Sequence, residues 1–187
     1  MNPVIKEKIK ESIDVKKAIL EDEKLLDLIQ KTADAVKDAV FAGNKVLLCG
    51  NGGSASDALH IAGEFVGRFQ KDRQALPAIS LNADVASLTS IANDFGYDHV
   101  YERGVEGYGK SGDVLIGIST SGNSKNVCMA IEKARSMDIT TVAFTGMSGG
   151  KMAEIADIAI VVPSSCTARI QEAHIMIGHI VCELAEE

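Results

Sequence analysis

The spacing of apolar residues divides the chain into a leading helical segment and a longer alternating one. Within residues 3–42, Ile5, Ile9 and Ile13 recur at a spacing of four and a second apolar stripe follows, which predicts two helices. From residue 45 onward, short continuous apolar runs alternate with segments of helical spacing. Continuous apolar runs are typical of strands that are buried on both faces of a parallel sheet. The pattern therefore predicts alternating strands and helices behind a helical arm.

The same pattern places these elements along the chain. The strands are expected over residues 45–49, 76–81, 113–118, 140–144 and 158–162. Helices are expected over residues 55–68, 124–136, 150–156 and 167–185, and helical segments are expected through residues 84–103. Strands that alternate with helices over short connections form an α/β fold, here a three-layer, doubly wound parallel sheet. No linker or low-complexity tract interrupts the pattern, so residues 1–187 are expected to form a single domain.

The helical arm over residues 1–42 precedes the first predicted strand. Two amphipathic helices in that place cannot bury both of their faces against one small domain. We therefore expect the arm to pack against another subunit, and a chain that behaves as a monomer in light scattering would contradict this.

The charge balance excludes one class of partner. The chain has 19 Lys and Arg against 26 Asp and Glu, a formal net charge of -7, and its basic residues are scattered. Nucleic-acid binding that relies on phosphate neutralisation needs clustered basic residues, so no nucleic-acid partner is expected. An anionic substrate gains little from this overall field and would have to be held by local donors.

Membrane and compartment signals are weak in this sequence. No apolar run reaches the ~18 residues that a membrane span needs, and the charged N-terminal segment lacks the apolar core of a signal peptide. The four cysteines form no C-x-x-C pair and lie in or beside apolar segments, which favours reduced thiols. We therefore expect a cytoplasmic protein that does not contact the membrane.

A glycine-rich turn follows the first predicted strand. Residues 50–54 read Gly-Asn-Gly-Gly-Ser and lead into a helix. Glycine lets main-chain N–H groups approach a ligand, and a helix start offers unpaired donors at the positive end of its dipole. Gly50, Gly52 and Ala55 also fit a loose dinucleotide fingerprint, but the acidic residue expected about 20 positions further on is not found at a strand end. The turn predicts an anion site, and a turn without a ligand is the alternative.

A second turn, over residues 119–124, reads Ser-Thr-Ser-Gly-Asn-Ser. Its four hydroxyl groups surround one glycine between a predicted strand and a helix. Ser124 or Asn123 alone could cap that helix, but one cap explains one hydroxyl group and not four. Hydroxyl groups and main-chain amides can surround a phosphate, so this turn favours a phosphosugar site over a dinucleotide site.

Two pairs of side chains could supply acid–base chemistry. His60 and Glu64 are one helical turn apart, and Gln171 and His179 are eight residues apart on the last predicted helix. In isolation, each pair is more often a surface or core feature than a catalytic one. An aldose–ketose isomerisation through an enediol needs a base, an acid and donors that stabilise the developing charge. Beside two phosphate turns, these residues favour such an isomerase.

Several segments together carry a resemblance to a known family. They read LLCGNGGSASDALHIAGEF, IANDFGY, ISTSGNS and TARIQEAH, followed by a late histidine. The chain resembles the SIS domain family, and specifically its phosphoheptose isomerases, over essentially its whole length. The resemblance implies a flavodoxin-like SIS fold, a homotetramer, and interconversion of sedoheptulose 7-phosphate and D-glycero-D-manno-heptose 7-phosphate. That reaction is the first step of ADP/GDP-heptose biosynthesis, which serves lipopolysaccharide among other glycans.

The resemblance also implies roles for individual residues. Glu64 and His179 match the general base and the general acid of the family. The positions that hold zinc in the family, with one Zn²⁺ per subunit, correspond to His60, Glu64, Gln171 and His179. The substrate contacts correspond to Asn51, Gly52, Gly53, Glu64, Asn93, Asp94, Ser119, Thr120, Ser121, Ser124 and Gln171. The expected substrate is a phosphorylated heptose.

Two other functions remain open at this point. One is a non-catalytic SIS protein that regulates replication initiation by binding the initiator protein. That relative lacks the histidine at the place of His179 and carries arginine at the place of Ser121, whereas this chain keeps both residues. The other is an isomerase of a different phosphosugar, since no residue in the sequence reports the length of the sugar.

Overall fold

A computed structural model describes residues 2–187, and its centre is one five-stranded sheet whose neighbouring strands are all parallel. The strand order is β2-β1-β3-β4-β5. The strands span β1 Val46–Gly50, β2 Ala78–Ser80, β3 Val114–Ile118, β4 Thr140–Gly146 and β5 Ile158–Val162. Each lies within two residues of its predicted bounds, and β1 and β3 are buried along their whole length. Burial on both faces explains why their sequences are continuously apolar.

Within residues 2–187, eight α-helices surround the sheet. They span α1 Pro3–Leu20, α2 Glu23–Phe41, α3 Gly53–Val66, α4 Val85–Phe95, α5 Val100–Tyr108, α6 Lys125–Ser136, α7 Gly150–Ile155 and α8 Thr167–Ala185. The segment predicted as helical over 84–103 is divided at Gly96, where φ is +90°. A short 3₁₀ turn over Tyr97–His99 then leads into α5. Asp22 and Asp84 cap α2 and α4 by accepting hydrogen bonds from main-chain N–H groups in the first turn.

The helices divide into two layers, as the three-layer prediction requires. Side chains of α2, α3 and α8 form one apolar core with one face of the sheet. Side chains of α5, α6 and α7 form a second core with the other face. The α/β fold with a doubly wound parallel sheet is therefore confirmed.

The order of the strands determines where a ligand can bind. From β1 the chain passes through α3 to β2 on one side, and β3 lies on the other side of β1. Gly50 at the end of β1 is in register with Ile118 at the end of β3. The first and second turns therefore leave the sheet side by side, at the point where the strand order reverses. Doubly wound sheets bind their ligands in this crevice.

The first helix has an apolar row that the rest of residues 2–187 leaves about half exposed. Val4, Ile5, Ile9 and Ile13 on α1 are each roughly half exposed, although Arg169 of α8 donates a hydrogen bond to the carbonyl oxygen of Lys8. None of the helices within residues 2–187 is long and apolar enough to cross a membrane.

His174 of α8 is buried in the core, and we predict that it makes the fold sensitive to acid. Its Nε2 donates a hydrogen bond to the carbonyl oxygen of Thr145, with an N···O distance of 2.9 Å. Its Nδ1 has no partner among residues 2–187, and the ring lies beside Phe144. Burial lowers its pKa from 6.5 to about 4, although the Thr145 bond opposes this shift. The unfolded chain binds the proton first, so stability is lost as pH falls from 6.5 towards 4, by about 3 kcal/mol.

Urea unfolding between pH 7.5 and pH 4 measures this effect. The variant His174→Gln keeps an N–H donor without a titrating ring and should lose this part of the pH dependence. His99→Gln is the control, because His99 pairs with Glu102 near the surface. An unchanged pH dependence in His174→Gln would contradict the prediction.

Candidate active site

The first turn presents main-chain groups at the start of α3. Gly52 adopts φ +58°, and α3 begins at Gly53 without a side-chain cap. Both glycines are exposed. A Cβ atom on Gly50 would lie 2.7 Å from the carbonyl oxygen of Ser54, so only glycine fits at that point. The N–H groups of Ser54, Ala55 and Ser56 donate to main-chain carbonyl oxygens within the turn. The turn thus brings the exposed main chain of Gly52 and Gly53 to a ligand at a positive helix end.

The second turn gathers hydroxyl groups in front of α6. The Oγ atom of Ser119 lies 2.8 Å from that of Ser124 and 3.4 Å from that of Ser121. Ser124 immediately precedes α6, but its side chain makes no capping hydrogen bond. The half-buried Thr120 lies in the same turn. Helix capping therefore does not account for these hydroxyl groups, and their clustering is what a phosphate cradle requires.

A polar network fastens the two turns to each other. The amides of Asn51 and Asn126 form a reciprocal pair, with N···O distances of 2.9 and 3.0 Å. The hydroxyl groups of Tyr97 and Tyr101 each donate to Oδ1 of Asn51 at 3.0 Å. Burial raises the pKa of Tyr101, so its hydroxyl group stays protonated. Tyr97 ends the IANDFGY segment but was given no role there, and Asn126 and Tyr101 lie outside the quoted segments. Only the fold brings these three side chains to Asn51.

Three predicted side chains converge between α3 and α8. Nε2 of His60 lies 3.0 Å from Oε1 of Glu64 and 3.1 Å from Nε2 of His179. Ligand atoms of these three residues all lie within 4.8 Å of one another. His60 is about half exposed and the other two are partly buried, so the cluster is open to solvent on one side. Two imidazole nitrogens and a carboxylate are a donor set that can hold a divalent metal.

Gln171 reaches the same region by way of Asp57. Its Nε2 donates to Oδ1 of Asp57 at 2.6 Å, and its Cγ would lie 3.6 Å from a Cβ atom built on Gly53. Burial raises the pKa of Asp57 to about 6, while the Gln171 bond and the charge of His60 oppose the shift. Because the amide nitrogen faces Asp57, the amide oxygen is left for a ligand. The sequence signal for Asp57 is its place one turn before His60.

Asn93 and Asp94 are not brought into the cluster. Both are exposed at the end of α4, where Nδ2 of Asn93 donates to Oδ1 of Asp94 at 2.8 Å. Within residues 2–187, neither side chain forms a hydrogen bond with the two turns or with the histidines. Tyr97, two residues beyond α4, connects this segment to the first turn. Their predicted contact with substrate stays a prediction.

Comparison with known proteins agrees with these features. The profile of the SIS domain matches residues 9–146. The chain is 52% identical over 187 residues to the phosphoheptose isomerase of Clostridium acetobutylicum. The aligned region covers all of this chain and 95% of that protein. The chain is similar to the structure of phosphoheptose isomerase from Neisseria gonorrhoeae, with a TM-score of 0.91, 39% identity, and 97% and 96% of the two chains covered. A phosphoheptose isomerase structure from Francisella tularensis gives a TM-score of 0.93 at 34% identity, with 99% and 98% covered.

Proposed function

Because the chain belongs to the SIS domain family and, within it, to the phosphoheptose isomerases, we propose that it converts sedoheptulose 7-phosphate into D-glycero-D-manno-heptose 7-phosphate. The observation that carries this proposal is the convergence of His60, Glu64 and His179 between α3 and α8. Both helices lie on the same face of the sheet. In this proposal, a base and an acid on these helices act on a substrate whose phosphate is bound at the two turns.

The reaction moves one proton between neighbouring carbons. Glu64 is placed to remove the proton from C1 of the ketose, and His179 to protonate the oxygen on C2, which gives the enediol. Return of a proton to C2, with loss of the proton from the hydroxyl group on C1, then yields the aldose. Glu64 lies partly buried beside an imidazole, which suits a carboxylate that exchanges protons with a carbon acid.

The two turns bind the non-reacting end of the substrate. The hydroxyl groups of Ser119, Ser121 and Ser124, together with main-chain N–H groups at the helix starts, would surround the phosphate. Asn51, Gly52 and Gly53 form the neighbouring wall, and Thr120 belongs to the cradle. Phosphate binding here supplies energy that holds C1 and C2 against the cluster. Asn93 and Asp94 would contact sugar hydroxyl groups.

We further propose that one Zn²⁺ per subunit is held by His60, Glu64, Gln171 and His179. His60, Glu64 and His179 fit, because their ligand atoms lie within 4.8 Å of one another. The amide oxygen of Gln171 is a candidate fourth ligand, since its amide nitrogen is bonded to Asp57. When bound, the ion would polarise the carbonyl group of the substrate and stabilise the enediolate. Proton transfer by Glu64 and His179 is assigned to the side chains themselves.

Assembly and location complete the proposal. A homotetramer would cover the half-exposed apolar row on α1, which has no partner within the described part of this chain. Residues 1–187 would then be one SIS domain whose first 42 residues serve in subunit packing. We place the enzyme in the cytoplasm, at the first step of heptose activation for lipopolysaccharide or a related glycan. Light scattering measures the subunit number, and a monomer would contradict this assembly.

Turnover of sedoheptulose 7-phosphate tests the function. The protein is treated with a chelator, divided, and assayed with and without added Zn²⁺ while the aldose C1 proton is followed by NMR. We expect aldose product, and faster formation with Zn²⁺. Pentose and hexose ketose phosphates are the matched substrates, and preference for one of them would reassign the sugar. No turnover under any condition would instead favour a non-catalytic SIS protein.

A further inference from the structure

Near the His60–Glu64–His179 cluster, an ion pair that is shielded from solvent joins the end of α8 to the loop after α3. The side chain of Glu186 is 1% exposed and that of Arg73 is 14% exposed. Oε1 of Glu186 lies 2.8 Å from Nε and 2.7 Å from a terminal guanidinium nitrogen of Arg73. Neither residue belongs to a motif or to the proposed chemistry.

Glu186 also holds the main chain of this loop. Its carboxylate accepts hydrogen bonds from the N–H groups of Phe69, Gln70 and Lys71 at 2.8, 3.0 and 3.0 Å. Burial raises the pKa of Glu186, but these donors and the charge of Arg73 outweigh it, and the pKa falls from 4.5 to about 2. A carboxylate with this many charge-assisted partners fixes the conformation of the loop.

Arg73 connects the same anchor to the helix that carries Glu64. Its guanidinium group donates to the carbonyl oxygens of Glu64 and Phe65 at 3.0 and 2.9 Å. These are among the last carbonyl groups of α3, which have no partner within the helix. The ion pair therefore sets α3, α8 and the loop over residues 67–76 relative to one another.

The loop places an aromatic ring against His179. The ring of Phe69 is stacked on the imidazole, with 5.3 Å between ring centroids and 24° between ring planes. Phe69 is partly buried and packs against the apolar core to which α3 and α8 contribute. Nε2 of the same imidazole lies 3.1 Å from Nε2 of His60. The imidazole of His179 thus contacts the ring of Phe69 and the imidazole of His60.

We propose that Phe69 is a positioning residue for His179, and that the Glu186–Arg73 pair is the anchor that keeps it in place. This inference rests on the proposed function, in which His179 transfers a proton and holds a metal. Phe69 touches no reacting atom. It restricts the rotamer of the imidazole and covers one of its faces, so that Nε2 stays directed at the cluster.

Loss of this restraint should change the chemical step more than binding. An imidazole that can turn away from the cluster spends less time in the reactive geometry, and misplacement of about 1 Å can cost up to about 100-fold in rate. We expect Phe69→Leu to lower kcat by about 10-fold or more while KM changes less than about 2-fold. Outer-shell groups of metal ligands affect affinity by about 10- to 100-fold, so Zn²⁺ affinity should fall about 10-fold.

The experiment compares matched variants of the full chain. Phe69→Leu removes the aromatic face and keeps apolar bulk, whereas Phe69→Tyr keeps the face and should retain wild-type behaviour. Phe41→Leu is the control, since Phe41 is 66% exposed at the end of α2. In Glu186→Gln, the side-chain NH₂ group would face the N–H donors of the loop and weaken the anchor. This substitution should have little further effect on kcat in a chain that already carries Phe69→Leu.

Three readouts are measured on each variant: kcat and KM, Zn²⁺ affinity by competition with a chromophoric chelator, and imidazole NMR signals. The chain has only four histidines, so the His179 signals can be assigned by substitution. We expect Phe69→Leu to shift the His179 signals downfield, because the ring current of Phe69 is lost. Phe69→Tyr and Phe41→Leu should not shift them in this way. Unchanged His179 signals and unchanged kcat in Phe69→Leu would overturn the proposal. The NMR and Zn²⁺ measurements test the positioning role of Phe69 even if the wild type does not turn over heptose phosphate. A lack of turnover would count only against the proposed function.

Discussion

Replacing Glu64 by glutamine is expected to lower kcat by about 10³-fold, within the range of about 10² to 10⁴ that a positioned general base contributes. Glutamine has nearly the same volume as glutamate, so the packing of α3 should be unchanged. The amide cannot take a proton from C1 of the ketose. Since the proposed phosphate site lies in the two turns and does not include Glu64, we expect the Kd for substrate to change little.

The chain contains a closely matched control for this variant. Glu102 also pairs with a histidine on its own helical segment, at 2.8 Å from His99, and its side chain is 26% exposed, as is that of Glu64. Glu102→Gln should therefore leave kcat unchanged. Exchange of the C1 proton with deuterated solvent isolates proton abstraction and should be lost together with turnover in Glu64→Gln. Full activity in that variant would remove Glu64 from the role of base.

The elements that sequence predicted best are those whose signal is local. The continuous apolar runs that became β1 and β3 are determined by burial on both faces, and this appears directly in the residue types. Over residues 84–103 the sequence predicted helical segments but not where they divide, because the break depends on the positive φ of Gly96, which a helical spacing of apolar residues does not report. Bounds elsewhere differ by one or two residues, as capping geometry allows.

Only those residues of the candidate site that belong to sequence motifs could be predicted. His60 and Glu64 share a helix face, so their proximity follows from spacing, whereas the approach of His179 depends on how α8 packs on α3. Asp57 and Asn126 bond to partners that are 114 and 75 positions away in the chain. No local pattern encodes such pairs. The supporting residues of a site are therefore harder to predict than the residues they support.

Gly122 illustrates a requirement that a motif contains but does not explain, and Gly122→Ala is expected to have the largest effect on stability of the substitutions considered. Gly122 is buried in the second turn and adopts φ +68°. A Cβ atom there would come within 2.0 Å of the carbonyl oxygen of Gly149. That oxygen belongs to the main chain before α7, so no side-chain rotation can relieve the contact.

The surroundings of Gly122 leave little room for adjustment. Its own carbonyl oxygen accepts a hydrogen bond from the N–H of Met152 at 2.9 Å, and Oδ1 of the adjacent Asn123 accepts one from the N–H of Lys151 at 3.0 Å. Relief of the clash must separate the second turn from the start of α7 and break these bonds. Overpacking together with the loss of these hydrogen bonds should destabilise the fold by about 3 kcal/mol or more.

Urea unfolding and substrate kinetics together test Gly122→Ala. Because Ser121 and Ser124 flank the displaced residue, we expect KM for the sugar phosphate to rise about 10-fold or more, the equivalent of about 1.4 kcal/mol of lost binding. Gly107→Ala is the control: nothing lies within 4 Å of a Cβ atom there, and the residue is exposed on α5. That variant should be neutral or stabilising by up to about 1 kcal/mol, since alanine favours a helix over glycine. If Gly122→Ala instead unfolds at the wild-type urea concentration, the second turn can yield without cost, and its hydroxyl groups are not held rigidly enough to form the phosphate cradle.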